Sequence, residues 1–322
     1  MRAIRIEQHG GPEVLKLVEA PIPEPGPGQV RVKLAAAGLN FIDIYQRKGQ
    51  YKLPLPITLG AEGAGVVDAI GPGVNEVKVG DRVATSAFMG AYAEYALANA
   101  WQLAIVPEGV ELKVAAAAML QGMTAHYLVH TTYPLKQGDA ALIYAASGGV
   151  GGLLTQMAKM RGARTLCAVG SEAKAAEARA LGADEVILYR EVDIPQQVHR
   201  LMDGKGVPVV YDSVGKDTFA ASLDCLAPRG YMVLYGQSSG PVGPIDPQIL
   251  NSKGSLFLTR PTLGHYIATP EEFRWRASDL LGWISSGQLR VRIARSFPLA
   301  QAAEAQEYLA SAQALGKVLL EV

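Results

Sequence analysis

Cysteine is scarce, neither sign of charge is in excess, and an uncharged stretch about long enough to cross a bilayer is broken by glycine. Cys167 and Cys225 are the only two cysteines in 322 residues, one in a predicted strand and one in a predicted helix. No disulfide framework is expected, and a reduced, cytoplasmic protein is the simplest inference. The 30 Lys and Arg balance 30 Asp and Glu, so net charge gives no reason to bind nucleic acid or an anionic membrane. No arginine-rich or aromatic-basic segment argues for RNA. The first residues, Met1-Arg-Ala-Ile-Arg-Ile-Glu7, carry charge and lack an apolar signal core, so secretion is not expected. Ala140 to Ala158 is uncharged, but its four glycines, with Ser147, Thr155 and Gln156, make a poor membrane helix. No internal repeat or low-complexity tract stands out.

Within that same stretch lies the most informative pattern. A short apolar run, Ala141-Leu-Ile-Tyr-Ala145, opens into Ala146-Ser-Gly-Gly-Val-Gly-Gly152, and then Val150, Leu153, Leu154, Met157 and Ala158 recur at helical spacing. Strand, glycine turn and helix start follow one another. Glycine there lets the backbone turn tightly and approach a pyrophosphate, while helix N–H groups and the dipole face the anion. A Gly-x-x-Gly such as Gly148 and Gly151 also ends many strands that bind nothing, so the surroundings decide. They read Thr165–Val169, Glu185–Tyr189, Pro208–Asp212, Tyr231–Tyr235 and Ser255–Thr259 as further buried strands, with helices over Gly151–Arg161 and Ser171–Leu181. Six strands with intervening helices fit an α/β, doubly wound parallel sheet of the Rossmann kind, with the ligand over the carboxyl ends of the strands.

The second strand ends in Val169-Gly170-Ser171, without the acid that usually binds the ribose 2′-OH of NAD. Ser171 begins a helix and Lys174 sits in its first turn, where a lysine opposes the helix dipole unless an anion is close. Gly170, Ser171, Lys174 and Tyr189 can therefore surround a 2′-phosphate, which favours NADP(H) over NAD(H). Two readings compete with this one: Ser171 as a plain N-cap with Lys174 solvated, and Glu172 reaching the ribose.

The first third has another texture. Arg2–Ile6, Val14–Val18, Val30–Leu34, Gly65–Ala69, Arg82–Ala84 and Ala93–Ala96 are short strand candidates, punctuated by Gly10-Gly-Pro12, Pro21-Ile-Pro-Glu-Pro-Gly-Pro-Gly28 and Gly71-Pro-Gly73. This pattern predicts a small β-barrel. A helical bridge, Leu112 to Tyr133, leads into the glycine-turn strand. After Arg260 come a helix over Glu271–Ser285 and an apolar strand, Lys317–Val322, expected to return to the barrel.

The order of Gly38-Leu-Asn-Phe-Ile-Asp43, Gly60-Ala-Glu-Gly63, Val79-Gly-Asp-Arg-Val83, Ala145-Ala-Ser-Gly-Gly-Val-Gly151, Tyr211-Asp-Ser-Val-Gly215 and Gly316-Lys317 resembles the medium-chain dehydrogenase/reductase superfamily along the whole chain. Within it, the pattern is similar to the zinc-independent NADPH:quinone oxidoreductases related to ζ-crystallin. The resemblance implies a GroES-like β-barrel catalytic domain over residues 1–124 completed by 261–322, a Rossmann cofactor-binding domain over 125–260, a cleft between them and a homodimer. It places Asn40, Asp43, Tyr45 and Tyr51 in the cleft, with Asn40, Tyr45 and Tyr51 as the catalytic candidates. Asn40 would donate a hydrogen bond to an oxygen, and Tyr51 would position substrate or donate a proton, though an aromatic in such a loop also serves packing. Asp43 would orient neighbours or cofactor. Thr124, Tyr127, Gly149, Val150, Ser213, Gln237, Thr259 and Arg260 would surround the cofactor, and Lys317 would approach it.

Against zinc alcohol dehydrogenases of the same superfamily the chain departs in an informative way. Asn40 stands where a cysteine ligand is expected and Ala61 where a histidine is, and the cysteine-rich structural loop is missing. Zinc favours thiolate and imidazole and needs about three protein ligands in a catalytic site. His126 and His130, at i and i+4, lack an evident third ligand. No metal is expected. Without a Lewis acid, a simple ketone is a hard substrate because its reduction gives an alkoxide, whereas a quinone delivers an oxyanion delocalised into an aromatic ring. The expected activity is NADPH-dependent reduction of quinones, with other conjugated carbonyls as the wider class. Two rivals stay open: an enoyl-thioester reductase using Tyr51 as proton donor, and a non-enzymatic NADPH-binding or RNA-binding protein.

Overall fold

The structure, a computed structural model, describes residues 1–311 and 313–322. The chain forms two compact units, residues 124–266 and residues 1–123 with 267–322.

In the first of these, Ala140–Tyr144, Arg164–Val169, Glu185–Leu188, Val207–Asp212, Leu226–Leu234 and Phe257–Thr259 make one six-stranded sheet. All its pairings are parallel. Numbered along the chain, the strands lie in the order 3-2-1-4-5-6, so the direction of winding reverses beside the first strand. Every residue of Ala140–Tyr144 is buried, as a strand covered on both faces requires. Leu142, Leu166, Val198, Val210, Leu223 and Met232 join in one apolar core. The expected α/β doubly wound arrangement is what forms, and Phe257–Thr259 is its edge.

The other unit is built on a seven-stranded sheet. Its long strand Gln29–Gly38 pairs with Glu62–Ile70, Tyr95–Asn99 and the terminal strand Lys317–Glu321. Arg82–Thr85, Ala104–Ile105 and Ile293–Pro298 complete it, and Lys16–Glu19, Arg2–Ile6 and Ile57–Thr58 form a smaller sheet of three. The terminal strand returns to the barrel as its apolar pattern predicts. Its antiparallel register sets Leu319 opposite Gly38, and Leu39 N–H donates to the Val318 carbonyl. Lys317 lies two residues beyond the Leu319–Gly38 pair, where its ammonium donates to the Asn40 side-chain oxygen.

Several elements were not legible in the pattern: the short strands Ile57–Thr58, Ala104–Ile105 and Ile293–Pro298, and the helices Phe41–Arg47 and Ala302–Ala310. The bridge is an α-helix over Leu112–Tyr127 whose end widens into a π-helical turn, Leu128–Thr132, closed by Tyr133 N–H on the Leu128 carbonyl. The units divide after Met123, and again after Tyr266 rather than after Arg260. Tyr266 stays with the sheet unit because its ring stacks on Tyr127, with centroids 4.1 Å apart, and its hydroxyl accepts from Thr132 at 3.0 Å.

Candidate functional site

The glycine turn begins where the first strand stops. Ala145 takes a left-handed conformation, φ 50°, which alanine adopts only under constraint. Its carbonyl thereby crosses the start of helix Gly149–Met160, and a Cβ built on Gly151 would lie 2.2 Å from that oxygen. Only glycine lets the helix begin so close to the strand. Gly148 occupies the N-cap in extended conformation, and Gly149 and Val150 open the first turn, where helix N–H groups lack partners within the helix.

At the end of the second strand, Gly170 leads into Ser171, the N-cap of helix Glu172–Ala180, whose hydroxyl does not cap the helix. A Cβ on Gly170 would stand 3.4 Å from both the Tyr189 hydroxyl and the Arg190 guanidinium. Lys174 is half-buried, and its ammonium pKa is lowered first by that burial and then by the charge of Arg190. Two cations, a phenol and a hydroxyl are thus gathered with no carboxylate among them. Glu172, the residue able to reverse this sign, instead pairs with Arg179 at 2.8 Å. Arg190 does not stand out in the sequence because it lies two residues past the third strand. Its only signal is a base following Tyr189, over whose ring the guanidinium lies at 5.9 Å.

The loop after the fourth strand is held from below by Asp212. Its buried carboxylate accepts from the N–H groups of Val214 and Gly215, at 2.7 and 3.1 Å, and from the Thr218 and Ser222 hydroxyls, at 2.7 and 2.9 Å. Burial still pushes its pKa up against all four donors. Ser213 and Gln237 come together above it: Ser238 N–H donates to the Ser213 carbonyl, and a Cβ on Gly215 would lie 3.0 Å from Gln237 Cα. Thr259 ends the edge strand and Arg260 follows it, and Thr124 and Tyr127 are buried.

In the barrel unit, Asn40 caps helix Phe41–Arg47 and Asp43 sits in its first turn. Asn40 N–H donates to the Asp43 carboxylate at 2.8 Å. The Asn40 side-chain amide donates to Glu62 Oε2 at 2.8 Å and to the Gly38 carbonyl at 3.3 Å, while its oxygen accepts from Lys317 Nζ at 2.8 Å. Lys317 also forms an ion pair with Glu62, whose other oxygen accepts from Leu120 N–H at 2.7 Å. The side chains of Asn40, Asp43, Glu62 and Lys317 are all buried. Neither Asn40 nor Lys317 extends a free polar atom from this cluster. Glu62 stands out in the sequence only as part of the Gly60-Ala-Glu-Gly63 motif, because nothing in its spacing announces a partner 255 residues away.

Tyr45 and Tyr51 pack edge to face with centroids 5.8 Å apart, Phe41 adjoins Tyr45 at 6.3 Å, and Tyr51 is 41% exposed. At the positions where zinc ligands would be expected there is an amide at 40, no donor at Ala61, and an ammonium on the neighbouring carboxylate, a donor set that does not fit zinc. His126 and His130 stack at 4.2 Å. No cluster of three or more metal-ligating side chains occurs among the described residues.

Comparison with known proteins gives two family matches: the alcohol dehydrogenase GroES-like domain over residues 26–135, and the zinc-binding dehydrogenase model over residues 149–282. A quinone oxidoreductase of Pseudomonas aeruginosa is 47% identical over 321 residues, 99% of each chain. A 2-haloacrylate reductase of a Burkholderia species is 42% identical over 98% of this chain and 97% of its own. The crystal structure of Escherichia coli quinone oxidoreductase complexed with NADPH superposes with a TM-score of 0.98 at 43% identity, covering 100% of both chains.

Proposed function

The chain belongs to the quinone oxidoreductases of the medium-chain dehydrogenase/reductase superfamily, and we propose that it reduces quinones with NADPH in a reaction that needs no metal. The observation that carries the cofactor choice is the acid-free group of Ser171, Lys174, Tyr189 and Arg190 at the end of the second strand. A phosphate on the adenosine ribose offsets the repulsion between the two cations, and a plain 2′-hydroxyl does not. Gly148, Gly149, Val150 and Gly151 hold the pyrophosphate on helix N–H groups. Gly170, Thr124, Tyr127, Ser213, Gln237, Thr259 and Arg260 remain the assigned surroundings of the rest of the cofactor. Asp212 fixes the Ser213 loop among them.

When bound, NADPH supplies a hydride from its nicotinamide ring. The chain's part is to hold and orient the acceptor. We assign the exposed edge-to-face pair of Tyr51 and Tyr45 to the quinone ring, which is flat, apolar and suited to an aromatic platform. The Asn40 amide, engaged by Glu62 and Gly38, sets the start of the helix that carries Tyr45 and Asp43 and does not itself reach for a substrate oxygen. Lys317 acts from inside the barrel through Asn40. The reduced quinone oxygen carries a charge spread over its ring, so no Lewis acid is needed to stabilise it.

Likeness to the 2-haloacrylate reductase favours a second reading, in which conjugated alkenes are also reduced. The working form is proposed to be a cytoplasmic homodimer pairing through the edge strand, where the half-exposed Phe257 ring stacks on Tyr231 at 4.6 Å. Steady-state NADPH oxidation with 1,4-benzoquinone, 9,10-phenanthrenequinone and crotonyl-coenzyme A tests the assignment. Turnover with the thioester and none with either quinone would overturn it.

A further inference from the structure

The buried pair Glu62–Lys317 joins two segments far apart in the chain. Glu62 opens the strand Glu62–Ile70, and Lys317 opens the last strand. Their side chains are 0% and 1% exposed, and the cluster around them is so close that a Cβ on Gly38 would lie 2.5 Å from Glu62 Oε2, 2.7 Å from Lys317 Cε and 2.8 Å from the Ala116 carbonyl. Charges buried to this degree are costly unless every donor and acceptor is met. Here the partners are Leu120 N–H on one Glu62 oxygen, the Asn40 amide and Lys317 on the other, and the Asn40 oxygen on the ammonium.

We propose that Glu62 and Lys317 are positioning residues for quinone reduction: their ion pair grips the Asn40 side chain from both its donor and its acceptor end, and so fixes the first turn of helix Phe41–Arg47. The consequence runs along the helix. Asn40 N–H holds the Asp43 carboxylate, Tyr92 donates to the same carboxylate at 2.9 Å, and one turn on, Tyr45 supports Tyr51. An amide has two chemically different ends, so a carboxylate and an ammonium side by side orient it in one sense only. A neutral pair of the same size does not impose that sense. The proposal rests on the assignment of the Tyr45–Tyr51 face to the quinone.

Asp43 reports on the pair. The groups facing it are Tyr92, Glu62 and Lys317, with the N–H of Asn40. Its carboxyl is pushed up to about 6 chiefly by burial, while Lys317 lowers it and Glu62 raises it.

The test uses full-length K317M, E62Q and the double variant K317M/E62Q, with NADPH oxidation by 1,4-benzoquinone and separate NADPH titrations. Wild-type turnover checks the underlying activity independently of the variants. The single variants each strand one buried charge. They are expected to lose about tenfold or more in quinone kcat with NADPH Kd within about threefold, and the Asp43 carboxyl, followed by NMR, should titrate higher in K317M and lower in E62Q. The double variant removes both charges of the pair and strands neither, so it keeps the protein folded if the singles do not; it is expected to regain thermal stability while its kcat stays low. Recovery of wild-type kcat in the double variant would reduce the pair to a structural role and overturn the proposal. So would an NADPH affinity in K317M that falls in step with turnover, since that would put the ammonium on the cofactor.

Discussion

Tyr92 donates its hydroxyl to the carboxylate of Asp43 across 2.9 Å, with the two side chains 0% and 1% exposed. Burial raises both: the tyrosine well above its ordinary value, and the aspartate from 3.8 to about 6. A carboxyl raised on folding favours the folded state while it is protonated. Below pH 4 both folded and unfolded chains hold the proton; between about 4 and 6 the unfolded chain ionises freely and the folded one does not, so stability from this group falls as pH rises, levelling off above 6. The span corresponds to roughly 3 kcal/mol at most. Asp43→Asn keeps an acceptor for Tyr92 without a charge. Its stability relative to wild type, from urea unfolding at pH 4, 5, 6 and 7, should grow by up to about 3 kcal/mol from pH 4 to 6 and then stay level. A difference that does not vary with pH contradicts the burial argument.

Cofactor selectivity follows from charge at Lys174 and Arg190. Each should contribute about 1.5 to 3 kcal/mol to NADPH binding, the usual size of a hydrogen bond to a charged group. Lys174→Ala and Arg190→Ala should each weaken NADPH by that amount and leave NADH nearly unchanged, by fluorescence titration of each cofactor. In addition, raising salt should weaken NADPH more than NADH, because the pair is partly open to solvent. Equal losses for both cofactors would return Lys174 to the role of a surface lysine.

How far the sequence carried depended on how local each signal was. Ala141–Ala145 and the glycines after it announced a strand, turn and helix, because the apolar run, the change of period and the small residues all sit within one short segment. Lys174 was legible for the same reason: it lies in the first turn of a helix whose start Ser171 marks. Arg190 was not, since its relation to Gly170 exists only once the second and third strands pair. The barrel was read as a class, but strands as short as Ile57–Thr58 carry too few residues for an alternation to register. Asn40 was picked out by resemblance as a donor to substrate, and the structure turns its amide inward. The reason is Glu62 and Lys317, whose meeting depends on the register between Gln29–Gly38 and the terminal strand and on nothing near either residue in sequence.

The glycine turn makes a sharper test than its motif. At Gly151 a Cβ would meet only backbone, the Ala145 carbonyl oxygen at 2.2 Å and carbon at 2.7 Å, so the strand end or the helix start must move. At Gly148 the nearest atom is the same oxygen at 3.1 Å, in an ordinary extended conformation. Gly151→Ala should therefore weaken NADPH by about tenfold or more and lower the thermal midpoint, while Gly148→Ala costs much less. Comparable effects from the two would mean that the crossing of Ala145 over the helix start is not what the glycines serve.

On the substrate side, Asn40→Ala combined with Tyr51→Phe should cut quinone turnover by about tenfold or more and leave NADPH affinity within about twofold. Comparison of Tyr51→Phe with Tyr51→Ala then separates ring from hydroxyl. If the ring facing Tyr45 forms the platform, the phenylalanine variant keeps the quinone KM and the alanine variant raises it. If the hydroxyl donates a proton, both variants lower kcat, the phenylalanine variant without raising KM. Unchanged turnover in the combined variant would move the substrate away from this face.

Metal dependence is decided by the same cluster that orients Asn40. A zinc ion at Glu62 would have to displace the Lys317 ammonium, leaving a second cation buried without its carboxylate, and the donors beside that ammonium are the Asn40 amide oxygen and the Glu62 carboxylate, neither imidazole nor thiolate. Catalytic zinc generally takes three protein ligands, drawn mainly from imidazole, thiolate and carboxylate. Protein purified without chelator should carry well under one zinc per chain by atomic emission, and dialysis against 1,10-phenanthroline should leave quinone turnover unchanged. Lys317→Met removes the competing charge, so added zinc is the stringent version of the experiment: if the carboxylate and amide alone sufficed, this variant would bind the ion tightly. The ligand count predicts that it will not, and stoichiometric, activity-linked zinc in either protein would refute it.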